Sequence, residues 1–104
     1  MDKNTTVIEK AKQYKEMVGR VLPVKIDSCW LYGSYAKGTQ KPHSDIDIAI
    51  EVNHIDDDLY WTVLPVLWKF SYQIDSRIEP VLIARDTDYT GFLDEIQRTG
   101  IKIM

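Results

Sequence analysis

The stretch from residue 33 to residue 50 constrains the fold more than any other part of the chain. Gly33 and Ser34 directly follow an apolar run, and Asp45 and Asp47 come about ten residues later. Side chains alternate between the two faces of a strand. One face therefore carries Asp45, Asp47 and Glu51, and the other carries Ile46, Ile48, Ile50 and Val52. The pattern predicts a strand that is buried on one face and acidic on the other.

Both halves of this stretch have a chemical use. Two carboxylates on one face suit a hard cation such as magnesium, which takes oxygen ligands and keeps several waters. A glycine followed by serine at the beginning of a helix suits a phosphate, because the backbone can approach closely and free N–H groups point outward. The residues alone therefore predict a site for a metal ion and a phosphate group.

This spacing resembles the nucleotidyltransferase superfamily, whose best-known fold member is DNA polymerase beta. The superfamily pattern is a Gly-Ser turn, a spacer, an Asp-x-Asp or Asp-x-Glu pair, and a third acid on a later strand. Residues 33–39 (GSYAKGT) and 44–48 (SDIDI) are similar to the minimal nucleotidyltransferases of bacteria and archaea. The resemblance covers the whole chain. It implies one minimal nucleotidyltransferase domain over residues 1–104, an α/β (α+β) fold with helices packed on a mixed sheet.

A third acid is expected on a strand predicted for residues 77–83. Glu79 is the expected residue, and Asp75, slightly earlier in the chain, is the fallback. Pro80 has no N–H to donate, so this strand is predicted to lie at an edge of the sheet.

The resemblance implies nucleotidyl transfer from ATP with magnesium, and two magnesium ions are expected. It assigns catalysis and metal binding to Asp45, Asp47 and Glu79, and nucleotide binding to Gly33, Ser34, Lys37 and Ser44. The residues alone leave Lys37 open between a phosphate contact and a solvated side chain. His43 is expected to be a loop residue, and Cys29 a small buried residue.

The remaining elements follow from periodicity, turn residues and caps. We predict helices at 5–20, 34–38, 56–72 and 89–98, and strands at 25–32, 45–52, 77–83 and 101–103. Thr6 to Glu9 fits a capping box, and Asp56 to Asp58 suit the beginning of a helix. Pro65 predicts a kink or break within 56–72.

The helix at 56–72 is apolar on nearly all sides, which fits either a protein partner or a position wedged between the sheet and another helix. Larger superfamily members have a second domain that binds the acceptor, for which this sequence leaves no room. The resemblance implies a partner instead: minimal nucleotidyltransferases pair with a helical RNase toxin of the HEPN type. The nucleotidyltransferase is the antitoxin of this type VII-like pair and transfers AMP from ATP to a toxin tyrosine. Transfer to a small molecule, as in aminoglycoside nucleotidyltransferases, and neutralisation by binding without catalysis remain as alternatives.

The composition of the chain argues against several classes of partner and location. The net charge of −3 argues against broad nucleic-acid binding. No apolar run approaches the roughly 20 residues that span a bilayer, and residues 1–4 lack the apolar stretch of a signal peptide. A single cysteine allows no internal disulfide, so a cytoplasmic location is expected.

Overall fold

The computed structural model describes residues 3–103, with side chains from Thr6 to Ile103. The predicted domain limits at residues 1 and 104, and the signal-peptide prediction for residues 1 and 2, lie outside the described residues. The helices are α1 (Lys3–Val21), α2 (Ser34–Lys37), α3 (Asp57–Ile74) and α4 (Phe92–Thr99). The strands are β1 (Ser28–Tyr32), β2 (Ile46–Val52), β3 (Ile78–Ala84) and β4 (Ile101–Ile103), and a 3-10 turn follows β3 at Arg85–Thr87.

The four strands form one mixed sheet in the order β3-β2-β1-β4. β1 runs antiparallel to β2 and β4, whereas β2 and β3 are parallel. Parallel neighbours need a crossover connection, which α3 provides. β3 lies at the edge, as Pro80 predicted. The mixed sheet with helices packed on it confirms the predicted fold class.

The two faces of the sheet differ in how they are covered. On one face, the apolar side chains of β2 pack with α1 and α3 in the main core, where the Tyr14 hydroxyl donates a hydrogen bond to the Leu67 carbonyl at 2.8 Å. On the other face, α4 contributes Leu93 and Ile96 to a smaller cluster with Ala49 and Ile83. This second face also carries the acids of β2.

The boundaries of α1 and α3 differ from the prediction. α1 begins at Lys3, so Thr6 lies inside the helix instead of capping it. A kink or break was predicted at Pro65, and no break occurs, because α3 continues through this residue. Pro65 removes the N–H that would meet the Trp61 carbonyl, but Trp61 is 68% exposed, so water can reach this turn. Burial of Val63 and Leu67 holds the helix on both sides of the proline.

The beginning of α4 also differs from the prediction. It begins at Phe92, three residues late, because residues 88–91 form a turn that closes the helix end. The Asp88 carboxylate accepts the Leu93 N–H at 2.8 Å, and Gly91 has a positive φ of 76°. Asp88, four residues before Phe92, thus caps the beginning of the helix with its side chain. Within residues 3–103, no helix is both long and apolar enough to cross a membrane.

Candidate active site

Three neighbouring strands bring Tyr32, Asp47 and Glu79 into one row across the sheet. Tyr32 pairs with Asp47 between β1 and β2, and Asp47 pairs with Glu79 between β2 and β3. Directly paired residues point to the same face of a sheet. The row therefore sets two of the predicted acids side by side, with Asp45 exposed just before β2.

The carboxylates of this row influence one another. Burial raises the pKa of Asp47 to about 6, and the negative charges of Glu79 and Asp45 add to the effect. Burial also raises the pKa of Tyr32 to about 12, again with contributions from Asp47 and Glu79. Asp45, Asp47 and Glu79 thus form one negatively charged cluster, which we call the carboxylate row.

The carboxylate row fits the magnesium that the sequence resemblance implies. No three carboxylate, imidazole or thiol groups converge on a ready-made metal site within the part of the chain that the structure describes. However, the donors are all oxygen atoms, which magnesium prefers. A bound cation would also offset the mutual repulsion that raises the pKa of Asp47.

The turn at Gly33 packs directly against Asp47. A Cβ atom at residue 33 would overlap an Asp47 carboxylate oxygen and lie 3.2 Å from Cγ. Gly33 has φ 73° and ψ −147°, a backbone conformation strained for other residues. Its carbonyl accepts the Lys37 N–H at 3.1 Å, so the turn leads straight into α2. The predicted phosphate turn and the predicted metal ligand are therefore neighbours.

The other predicted nucleotide-binding residues have different surroundings. Ser34 is half-buried at the first position of α2, whereas Lys37 is exposed at its last position. Ser44 accepts the Lys41 N–H on its hydroxyl at 2.7 Å and donates its own N–H to the Lys41 carbonyl at 3.0 Å. Ser44 therefore shapes the loop that delivers Asp45.

Asp75, the fallback for the third acid, is bound elsewhere. Lys10 donates to its carboxylate at 2.7 Å, and Arg77 donates to it through Nη2 at 2.8 Å and Nε at 3.1 Å. The bonds from Arg77 hold the pKa of Asp75 well below its usual range, and the bond from Lys10 acts in the same direction, against the opposing effect of burial. These contacts make Asp75 a link between α1 and the beginning of β3, and the geometry favours Glu79 as the third acid.

The sequence did not predict the positions of two tyrosines around the site, Tyr32 and Tyr35. Tyr32 was assigned only to the end of an apolar strand, although its position before Gly33 and the alternation of β1 place it on the acidic face. Tyr35 is buried, and its hydroxyl accepts a hydrogen bond from Arg77 at 3.0 Å, which holds α2 against the beginning of β3. No sequence pattern points to that long-range contact.

Glu51 shares a face with Asp47 but belongs to a different cluster. Four residues of strand separate the two by about 13 Å. Glu51 is buried. Its carboxylate accepts hydrogen bonds from Ser28 at 2.6 Å and Gln97 at 3.2 Å, and its Oε2 also accepts two from the Arg85 guanidinium, through Nε and Nη2. Glu51 therefore links α4, through Gln97, and the 3-10 turn, through Arg85, to the sheet.

The fold and the carboxylate row define a class of enzyme, and comparison with known families agrees. The family model described as "Polymerase beta, Nucleotidyltransferase" matches residues 7–104. The chain belongs to this family and is an enzyme of the nucleotidyltransferase class.

One relative by sequence and two solved structures are each similar to most of the chain. A protein of Methanocaldococcus jannaschii named "Putative protein adenylyltransferase" is 30% identical over 98 residues, covering 93% of this chain and 98% of that protein. A crystal structure of a toxin–antitoxin with AMP-PNP contains a chain with TM-score 0.63 and 24% identity, covering 89% of this chain and 72% of that one. A second similar chain comes from the complex of a tri-AMPylated HEPN toxin with MNT antitoxin, from Shewanella oneidensis. It has TM-score 0.59 and 19% identity, and the match covers 93% of this chain and 71% of that one. At these identities, the two structures show a shared fold.

Proposed function

We propose that this protein transfers AMP from ATP to a tyrosine of a HEPN-type RNase toxin, in a magnesium-dependent reaction, and is the antitoxin of that pair. The observation that carries the proposal is the position of Asp47, between the Gly33 turn and Glu79. This order sets a phosphate-binding turn, a metal ligand and a third acid side by side, which is what nucleotidyl transfer requires. We also propose that residues 1–104 form one minimal nucleotidyltransferase domain.

Each part of the site has a task in this reaction. The Gly33 and Ser34 backbone would hold the β- and γ-phosphates, with Lys37 and Ser44 nearby. Asp45, Asp47 and Glu79 would hold the two magnesium ions, which neutralise phosphate charge and favour the ionised form of the attacking hydroxyl. The tyrosine hydroxyl would lose its proton to water and its oxygen would form a bond to the α-phosphorus. The bond from that phosphorus to the bridging oxygen would break, and pyrophosphate would leave. Positioning and charge neutralisation account for most of the catalysis in such transfers.

Two observations support a protein acceptor. The relatives include a protein named as an adenylyltransferase of proteins and an antitoxin in complex with an AMPylated toxin. In addition, α3 exposes Trp61 by 68% and Tyr72 by 64%, and aromatic residues of this kind are enriched at protein interfaces. We place the pair in the cytoplasm, in keeping with the single buried cysteine, Cys29.

The test uses a candidate HEPN partner, ATP and magnesium, with intact-protein mass spectrometry as the readout. We expect the partner to gain the mass of one or more AMP groups, located on tyrosine by fragmentation. The Asp45→Asn, Asp47→Asn double variant should still bind the partner but should neither modify it nor rescue growth of cells that express it. A double variant that protects cells as well as the parent would show that contact alone neutralises the toxin. Modification of an aminoglycoside in place of the partner would favour a small-molecule transferase.

A further inference from the structure

We propose that Tyr32 and Phe92 form an aromatic wall against which the base of the nucleoside triphosphate packs. The inference deepens the proposed function, on which it rests, because it names the part of the substrate that these two rings would take.

The wall stands at one end of the carboxylate row. Tyr32 shares the acidic face with Asp47, its partner across the β1–β2 ladder. Phe92, the first residue of α4, meets Tyr32 edge to face, with ring centroids 5.7 Å apart and an angle of 87° between the ring planes. Phe92 remains 39% exposed. An apolar ring surface therefore borders a charged site and is still open to a ligand.

The position of Phe92 is well fixed. Thr90 Oγ1 accepts the Phe92 N–H at 3.3 Å, and Asp88 accepts the next N–H along, that of Leu93, at 2.8 Å. Burial of Leu93 and Ile96 holds α4 on the sheet. Because the backbone is anchored on both sides of Phe92, its ring is available for stacking without a large cost in conformational entropy.

The order of residues assigns this wall to the nucleotide and not to the acceptor. Tyr32 directly precedes Gly33, so the wall lies on the same side of Asp47 as the phosphate turn. Glu79, which would help hold the ions that activate the attacking hydroxyl, lies on the opposite side, on edge strand β3. Stacking on an aromatic ring is tolerant of sequence because every base has a π face. The wall should therefore add affinity for the nucleotide while discriminating weakly among bases.

The test compares a ligand that has a base with one that lacks it. Binding of ATP and of inorganic triphosphate would be measured by calorimetry with magnesium, using the parent, Phe92→Ala and Phe92→Leu. We expect Phe92→Ala to weaken ATP binding about ten-fold, within the range for loss of one stacked base, and to leave triphosphate binding unchanged. Phe92→Leu keeps apolar bulk but has no ring, and it should weaken ATP binding less than Phe92→Ala does. It replaces the alanine variant in the test if that variant does not fold. Tyr89→Ala is the control, because Tyr89 is 89% exposed and lies outside the ring pair.

The outcomes separate this inference from the proposed function. ATP binding that is equal in the parent and both Phe92 variants would overturn the wall and leave the proposed transfer intact. A parallel loss of triphosphate binding would mean that Phe92 supports the site as a whole, which also overturns the inference. Unchanged ATP affinity with slower modification of the partner would assign the wall to the acceptor. If the parent protein binds ATP no more tightly than inorganic triphosphate, the inference about the wall is wrong. If the parent protein binds neither ligand, the proposed function is contradicted as well.

Discussion

Gly33 and Asp47 approach so closely that a side chain on the first would displace the carboxylate of the second. The contact joins the turn after β1 to the acidic face of β2. Any residue that enlarges position 33 must therefore move either the backbone that would hold phosphates or the carboxylate that would hold magnesium. Even a methyl group at position 33 would therefore disturb the site.

Replacement of Gly33 by alanine should lower both stability and ATP affinity. The positive φ strains an alanine, at a cost of about 1–3 kcal/mol, and the new methyl group displaces the Asp47 carboxylate. Gly38→Ala is the control for a positive φ without the contact, since Gly38 has a φ of 74° in the milder left-handed region (ψ 20°) and nothing within 4 Å of its Cβ position. Urea unfolding and ATP titration of both variants would separate strain from contact. Equal loss of ATP affinity in the two variants would show that the Asp47 contact has no part in binding.

Asp47→Asn should stabilise the metal-free protein at neutral pH while abolishing transfer. Because the folded-state pKa of Asp47 is raised to about 6, the folded protein holds a proton that the unfolded chain releases near pH 4. The cost of ionising Asp47 in the folded state therefore grows as the pH rises from about 4 to about 6. After allowance for solvent screening, we expect a gain of about 1 kcal/mol for the variant at pH 7.

Urea unfolding without divalent cations, at pH 7 and at pH 4, measures this effect. The advantage of Asp47→Asn should be present at pH 7 and absent at pH 4, where the parent carboxyl is protonated in the folded state. Added magnesium should stabilise the parent more than the variant. An advantage of equal size at both pH values would mean that the substitution acts through packing and not through charge.

Glu79→Gln and Asp75→Asn should have opposite profiles. Glu79 is exposed at the end of the carboxylate row, so its amide variant should transfer AMP far more slowly and unfold like the parent. Asp75 binds Lys10 and Arg77, so its amide variant should lose about 1–2 kcal/mol of stability, as expected for loss of charged hydrogen bonds. Transfer rates and urea unfolding of both variants would test this, and a larger loss of catalysis at Asp75 would reverse the assignment of the third acid.

The sequence predicted most of the fold because local signals and the global structure agree. The alternation of residues 46–52 predicts a strand, which the sheet confirms, although α4 also covers part of the acidic face. The Gly33 turn leads into a short helix, as predicted. Helix limits were less accurate, because they depend on contacts that are remote in sequence. α4 begins at Phe92 only because the Asp88 carboxylate reaches forward to the Leu93 N–H. α3 continues through Pro65 because buried side chains hold the helix in the core on both sides of the proline.

The surroundings of the site were less predictable than its acids. Asp45 and Asp47 follow from spacing and alternation, whereas Glu79 follows from the family resemblance, and the catalytic roles of all three remain predictions. The Tyr32–Phe92 pair joins residues 60 positions apart, and no periodicity indicates which helix residue will meet a given strand. The bonds of Asp75 likewise depend on Lys10, far away in the chain. Long-range contacts of this kind require the folded structure.

The last prediction concerns Glu51, whose carboxylate should stabilise the fold without taking part in transfer. Burial alone would raise its pKa, but hydrogen bonds from Ser28 and Arg85 outweigh burial and lower it. The stability that Glu51 contributes is therefore present above its unfolded pKa and is lost as the pH falls through the lower folded value. Glu51→Gln should cost about 2 kcal/mol at pH 7, because the Arg85 guanidinium loses its buried partner. Glu95→Gln, which breaks only the exposed pair with Arg98, should cost less than about 1 kcal/mol. Urea unfolding of both variants at pH 7, with transfer rates measured alongside, checks the prediction. Equal stability of the two variants, or slow transfer in Glu51→Gln, would contradict it.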